Sequence, residues 1–228
     1  MLNIYQKIAI LALPILFAIT VHEAAHGWMA KRLGDRTAEM LGRVTLNPLK
    51  HIDPVGTILV PLLVFFMSGF VFGWAKPVPV NYRNLHNVRR DTALVALAGP
   101  AANLLMALFW SLMILFGLAI LESWSWAAVP LMLMGVGGVL FNTVLMALNM
   151  LPILPLDGGR VLNSLLPPKM AQVYSRLEGV GLIIVVLLLA TGLLGIVLWP
   201  LVGLTISLLP ATDTVLQYVP VILGSSRS

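Results

Sequence analysis

The chain alternates between long runs without a charged residue and short loops that hold nearly all of the charge. Uncharged runs longer than about 18 residues are candidate membrane spans, and here they cover 8–30, 55–75, 92–121, 123–156 and 179–212, with a weaker piece at 214–226. The first is broken only by Glu23. Runs of about 30 or more exceed one crossing, so their ends must hold other structure. Lys7 ahead of an apolar stretch begins like a signal peptide. The absence of a clear small-x-small cleavage site, and the polar residues inside the stretch, make it a retained span. Trp74, Trp124, Trp126 and Trp199 sit near run ends, where aromatic belts lie. Two stretches, Arg43–Leu46 and Lys76–Asn81, read as extended; alternating Pro and Val confine the second to an edge strand. The pattern predicts an all-α polytopic membrane protein, a bundle of about four to six membrane segments with short β-like stretches. No internal repeat or soluble linker divides it. It reads as a single membrane domain over 1–228, with its core motifs in 8–162 and C-terminal membrane segments in 179–226.

Loop charge sets the direction of the spans. Basic residues gather in 31–53, 73–91 and 158–178, while the link at Glu122 has none. By the positive-inside rule the first three loops are cytoplasmic and the Glu122 link external. Since 31–53 and 73–91 flank the 55–75 run, that run crosses twice or not at all. With Pro61, Gly69 and Gly73 inside it and only 21 residues, it reads as re-entrant or interfacial.

Composition narrows the class. Hydrophobic residues make up 59% of the 228, and only 10% are charged, against about 25% in an ordinary soluble domain. That deficit cannot clothe a water-facing surface, and it excludes a soluble enzyme or a disordered chain. The net charge of +5 is scattered between apolar stretches rather than gathered on a face, so no nucleic-acid partner is expected. With no cysteine, thiolate metal sites and disulfides are excluded.

Against this background Glu23 is out of place, and it sits in His22-Glu23-Ala24-Ala25-His26. An ionisable side chain at mid-bilayer costs about 2.5–3.5 kcal/mol on insertion scales, so three within one turn need a reason. At about 100° per residue, His22 and His26 lie some 40° apart and about 6 Å along the axis. Both imidazoles can therefore reach one metal ion, with Glu23 beside it as general base. Chance would supply on the order of 0.003 such matches in a chain of this composition. A membrane metal-ion or proton transporter also places His and Glu in its helices, and it stands as the alternative class. Few ionisable groups lie in the spans outside these clusters, which weighs against a relay across the membrane.

A catalytic zinc takes three protein ligands and keeps one position open. Without cysteine, the third must be His, Asp or Glu. His51 and His86 lie in charged loops and read as surface or interfacial. Asp157 follows 34 uncharged residues, after Pro152 and Pro155 and before Gly158-Gly159, which let the backbone bend close to a neighbour. Glu23 and Asp157 would offset the charge of Zn²⁺, lowering the desolvation penalty either carboxylate meets alone. The competing reading makes Asp157 a helix-terminal residue paired with Arg160. Topology brings Asp157 and the end of the first span to the same, cytoplasmic, side. Asn103, after Gly99 and Pro100, lies near that depth, and Asn149 stands one turn before the proline break, where its amide can anchor a substrate backbone. Asn142 reads as a contact between helices.

The set His22-Glu23-Ala24-Ala25-His26, Gly99-Pro100-Ala101-Ala102-Asn103 and Asn149-Met150-Leu151-Pro152 through Leu156-Asp157-Gly158-Gly159 resembles the site-2 protease family of intramembrane zinc metalloproteases. The resemblance runs from the first span to about Leu162, with all three motifs in family order. It implies one Zn²⁺ per chain held by His22, His26 and Asp157, with Glu23 as catalytic base and Asn149 assisting substrate or transition-state binding. Asn103 is a further candidate for that role. The chain is similar to the compact prokaryotic members, with no room for an inserted PDZ or CBS domain, and departs from them in the extra 55–75 segment. The implied function is hydrolysis of a peptide bond in or near the transmembrane segment of a single-span membrane protein, in the cell membrane, with the active site toward the cytoplasm. The extended stretch Pro77–Asn81 is a candidate to hold an unwound substrate by strand addition.

Overall fold

The computed structural model describes residues 2–59 and 76–223, and among them the chain is all-helical. Helix α1 spans Ile4–Arg32. Asn3 opens it by accepting the Gln6 N–H, and Gln6 reaches back to the Asn3 backbone in a capping box. Lys31 and Arg32 close it where cations suit the negative end of the helix dipole. Ala18, His22 and Ala30 are buried at multiples of four residues, with His26 between them, so one stripe of α1 faces the bundle. A short α2 (Thr37–Met40) and 3-10 turns at Pro48–His51 and Tyr82–Asn84 lie in the loops that follow. Helix α3 spans Val88–Ala119, capped by the Asn87 side chain on the Arg90 N–H, and α4 spans Ser125–Asn149.

Helices α1, α3 and α4 are each long and apolar enough to cross a membrane. After the Pro-broken loop 150–156 come α5 (Asp157–Leu165), α6 (Pro168–Ser175) and α7 (Glu178–Ala190). The last two, bent by 62°, make a fourth crossing if counted as one span. Helices α8 (Leu193–Ser207) and α9 (Thr212–Leu223) are shorter. The spans that meet the length test thus number three or four. The 179–212 run supplies two helices because Gly192, at φ 76°, breaks it.

Helix α4 is the most deeply buried of the three long helices and packs against α1, α3, α8 and α9. Trp110 and Ile114 of α3, Val136 and Val139 of α4, Val202 and Ile206 of α8, and Val215 and Ile222 of α9 form the main core. Leu105, Phe116, Ile183, Leu187, Ile196 and Leu204 point outward and are exposed. Such a coat of uncharged apolar side chains is what a bundle offers to hydrocarbon.

The polar residues collect in a layer of loops beyond the C-terminal end of α1. Asp35, fully buried, accepts from the Thr37 backbone and hydroxyl, the Asn81 N–H at 2.7 Å and the Asn84 amide at 2.9 Å. Burial pushes its carboxyl up, but these hydrogen bonds outweigh it and hold the group below the usual range. Arg43 donates to the Lys76 and Pro77 carbonyls, and the Lys76 N–H donates to the His51 carbonyl.

Two expectations change here, and a third is not reached. The β-like stretches 43–46 and 76–81 join no ladder among the described residues, because side chains take the backbone partners a strand would have used. The Val78 N–H goes to Glu23, the Asn81 N–H to Asp35, and the Lys76 and Pro77 carbonyls to Arg43. His51 is buried rather than at the surface, its Nε2 donating to the Thr45 carbonyl, since the loops stack on one another. Of the proposed re-entrant run 55–75, residues 60–75 lie outside the described residues.

Candidate metal centre

His22 and His26 stand one turn apart on the inward stripe of α1, with their Nε2 atoms 3.0 Å from each other. What lies behind each ring fixes its tautomer. The Asn103 amide nitrogen donates to the Ala18 carbonyl and to Asn142 Oδ1, so its oxygen is the atom 2.6 Å from His22 Nδ1. Asn142 in turn donates to the Gly138 carbonyl. His22 Nδ1 must therefore carry the proton. His26 Nδ1 lies 2.7 Å from the Val95 carbonyl, which can only accept, so it too is protonated. With each ring neutral, both Nε2 atoms are left with lone pairs, and these face each other. Second partners of this kind set the orientation of metal-ligating imidazoles.

Asp157 closes the triangle as the first residue of α5. Pro152 and Pro155 stop α4 from continuing, and the turn folds α5 back against the loop so tightly that only glycine fits. A Cβ on Gly159 would fall 2.5 Å from the Ile153 carbonyl carbon, and one on Gly158 would strike the Met150 carbonyl. The turn brings Asp157 Oδ2 to 3.3 Å from each Nε2. Among the described residues this buried oxygen accepts no hydrogen bond.

Three acceptors with no proton among them repel one another unless a cation sits between them. Zinc bonds of about 2.0–2.1 Å at tetrahedral angles hold neighbouring donors about 3.3–3.4 Å apart. The observed separations of 3.0, 3.3 and 3.3 Å are close to the edges of one face of that tetrahedron. The residues present therefore fit a zinc ion, and His22, His26 and Asp157 are the three that can hold it.

A cavity of about 430 Å³ opens beside the cluster, lined by all three residues together with Glu23, Val78, Tyr82, Asn149 and Arg160. The Val78 N–H donates to Glu23 Oε2 at 2.7 Å. Arg43 holds the carbonyls just before Val78, so the 76–78 segment is clamped from both sides. Asn149 lines the cavity while its amide donates to Leu145 one turn back. Asn103 is fully buried behind His22 and does not line it. Arg160 pairs with Glu178 at 3.2 Å, not with Asp157, and lies over the Tyr82 ring. Burial pushes the Tyr82 phenol up, with Arg160 pulling the other way. Gly99 sits under the two imidazoles, where a Cβ would come within 2.6 Å of His22 Cε1.

Sequence reasoning singled out 77–81 to hold substrate but missed the Val78 contact with Glu23, and it missed Arg43 and Tyr82. Val78 acts through its backbone, and Arg43 and Tyr82 lie in loops without a motif.

The chain is 37% identical over 197 residues to "Putative zinc metalloprotease YwhC" of Bacillus subtilis, a match covering 85% of each chain. It is 34% identical over 183 residues to "Putative zinc metalloprotease Rip2" of Mycolicibacterium smegmatis, covering 77% of this chain and 64% of that protein. The Rip2 protein of Mycobacterium tuberculosis is 28% identical over 189 residues, covering 81% and 70%. No family model matches the chain, and no solved structure does.

Proposed function

The chain belongs to the site-2 protease family of zinc metalloproteases, and from that membership we propose that it is an intramembrane endopeptidase. Its substrate is a single-span membrane protein, cut in or near the membrane segment. One observation carries the reading: two imidazole lone pairs and a bare carboxylate oxygen converge within 3.3 Å, and Glu23 shares their cavity.

His22, His26 and Asp157 hold one zinc ion per chain. When bound it supplies a Lewis acid that polarises the scissile carbonyl and makes water acidic enough to give up a proton near neutral pH. Glu23, next to His22 in sequence, faces about 100° around the helix and so serves the water rather than the metal. The Val78 N–H fixes one carboxylate oxygen. The other takes the proton of the attacking water and passes it to the leaving amine. Asn149, on the cavity wall, gives one amide N–H to Leu145 and has the second for the substrate carbonyl. Asn103 acts from behind, holding His22 in the tautomer that leaves Nε2 free. By the positive-inside rule, the basic loops 31–53 and 158–178 support a site that faces the cytoplasm.

The test is cleavage of a single-span membrane peptide with and without a zinc chelator. Glu23→Gln should keep zinc and fold while hydrolysis falls by about 10²–10⁴-fold. His22→Ala, His26→Ala and Asp157→Ala should each lose zinc in elemental analysis. A chelator-insensitive cut, or a Glu23→Gln variant as active as wild type, ends the protease reading. Ion flux lost in Glu23→Gln, with no peptide ever cut, moves the case to a transporter.

A further inference from the structure

The cavity holds one cation that the chemistry above does not use. Arg160 follows Asp157 by three residues on α5, which puts the two side chains on neighbouring positions of one helix face. Its guanidinium lies 5.4 Å from the centre of the Tyr82 ring, and Tyr82 is packed against Ala30, Leu85 and Val95. The stacked cation is thus held against a fixed wall. One guanidinium nitrogen, Nη2, donates at 3.2 Å to Glu178, the first residue of α7, which does not itself line the cavity. Leu182, one turn along α7, lines the cavity as well.

Charge accounting makes this pair informative. With a divalent cation bound, Glu23 and Asp157 bring the centre to neutrality, and Arg160 leaves the cavity at about +1. Glu178 supplies the compensating carboxylate, but from the rim, where its side chain is 48% exposed against 29% for Arg160. An ion pair so open to solvent contributes little on its own. A guanidinium presents five donors in a planar fork that matches a carboxylate. A peptide carboxylate entering the cavity from a low-dielectric segment would otherwise be unpaired, and it gains more from Arg160 than the exposed Glu178 does.

We propose that Arg160 is a specificity subsite that receives an acidic side chain of the substrate close to the scissile bond, with Glu178 occupying it in the resting enzyme. This rests on the protease reading. The selected feature is an Asp or Glu at one position within about three residues of the cut. The exchange of carboxylates on Arg160 loosens the contact between α5 and α7 as substrate enters.

The experiment separates the two readings by measuring binding and cleavage apart. A set of single-span peptides carries Glu, its isostere Gln, or Lys at each of three positions on either side of the bond. Affinity is measured on zinc-loaded Glu23→Gln protein, where the peptide stays whole, so a carboxylate newly formed by hydrolysis does not contribute. Cleavage is measured on wild type. At one position Glu should be preferred over Gln by at least tenfold, in affinity and in kcat/KM. Arg160→Gln should bring the ratio near one, and Arg160→Glu should shift the preference to Lys at the same position. Glu178→Gln, which frees the subsite, should raise affinity for the Glu peptide severalfold and leave the Gln peptide unchanged. Zinc content is followed in every variant. If an Arg160 variant loses zinc or fold, the Glu178 comparison decides alone. No Glu preference at any position, or a preference that survives Arg160→Gln with zinc retained, overturns the subsite. Peptides bound with the Arg160-dependent preference but never cut would instead overturn the protease reading and leave the subsite standing.

Discussion

Replacing Gly99 by alanine puts a methyl group where the two imidazoles already stand. An ideal Cβ there lies 2.6 Å from both His22 Cε1 and His26 Cε1, and closer still to His26 Nε2, whereas ordinary contact begins at 3.4 Å. Relief asks the rings, or α3 beneath them, to move by about 1 Å. Metal sites tolerate about ±0.2 Å in ligand distance, so a shift of that size takes at least one nitrogen out of range. Disturbing the groups that support a ligand costs about 10–100-fold in metal affinity, or about 1.4–2.7 kcal/mol, and displacing a ligand itself sits at or beyond the upper end. Nothing in the helix offsets this with a loss of its own, since Ala in a helix interior is favoured over Gly by up to about 1 kcal/mol. The assay is zinc retention against a graded chelator, with thermal unfolding in detergent measured in parallel. Gly179→Ala is the control, because a Cβ there meets nothing within 4 Å. The expected result is weakened zinc in Gly99→Ala alone, with the fold kept. Zinc held by Gly99→Ala as tightly as by wild type would refute the placement of the two rings.

Two further outcomes follow from the loops. Asp35→Ala strands the donors of Thr37, Asn81 and Asn84 in a buried layer and should cost about 2–4 kcal/mol in unfolding measurements. The folded carboxyl lies below its unfolded value of about 3.9, so its stabilisation is whole above that pH and is lost as pH falls through the folded pKa. The gap between wild type and Asp35→Asn should accordingly shrink in acid, and a gap that widens there would contradict the assignment. Because the chain has no cysteine, Met40→Cys and His86→Cys should both label from the cytoplasm and Glu122→Cys from outside; labelling of the first two from opposite faces would make 55–75 a full crossing.

The long helices were legible because a membrane span needs only length and apolarity, and the runs 8–30, 92–121 and 123–156 contain most of α1, α3 and α4. The end of α4 was legible too, since Pro152 and Pro155 fall close together just past it, whereas the single prolines at 14, 100 and 130 are carried inside the long helices. The 179–212 run hid its break, because a single Gly192 among apolar residues is a weak signal until its φ of 76° is seen. The convergence of His22, His26 and Asp157 could be argued from spacing and charge, but not the lone-pair geometry. That depends on which way the Asn103 amide points, and so on Ala18 and Asn142, partners 85 and 39 residues away. The clamp on Glu23 was out of reach for a different reason. Val78 contributes a backbone N–H, and every residue but proline has one. His51 was read as surface or interfacial because it lies in a charged loop, yet stacking of loop on loop buries it together with Asp35 and Arg43.

The relay that starts at the Gly138 carbonyl and passes through Asn142 and Asn103 to His22 has a bearing on biosynthesis. Two of the three metal ligands emerge with the first span, but the amides that orient them arrive at positions 103 and 142, and the third ligand at 157. A ribosome delivers these parts in sequence order. On the proposed reading, the nascent chain holds Glu23 long before it holds a place for zinc, and hydrolysis waits until α1, α3 and α4 have docked and the turn before α5 has closed. A chain stalled or cut short before Asp157 would sit in the membrane unarmed, and a protein that must share that membrane with its own potential substrates is safest when it matures in that order.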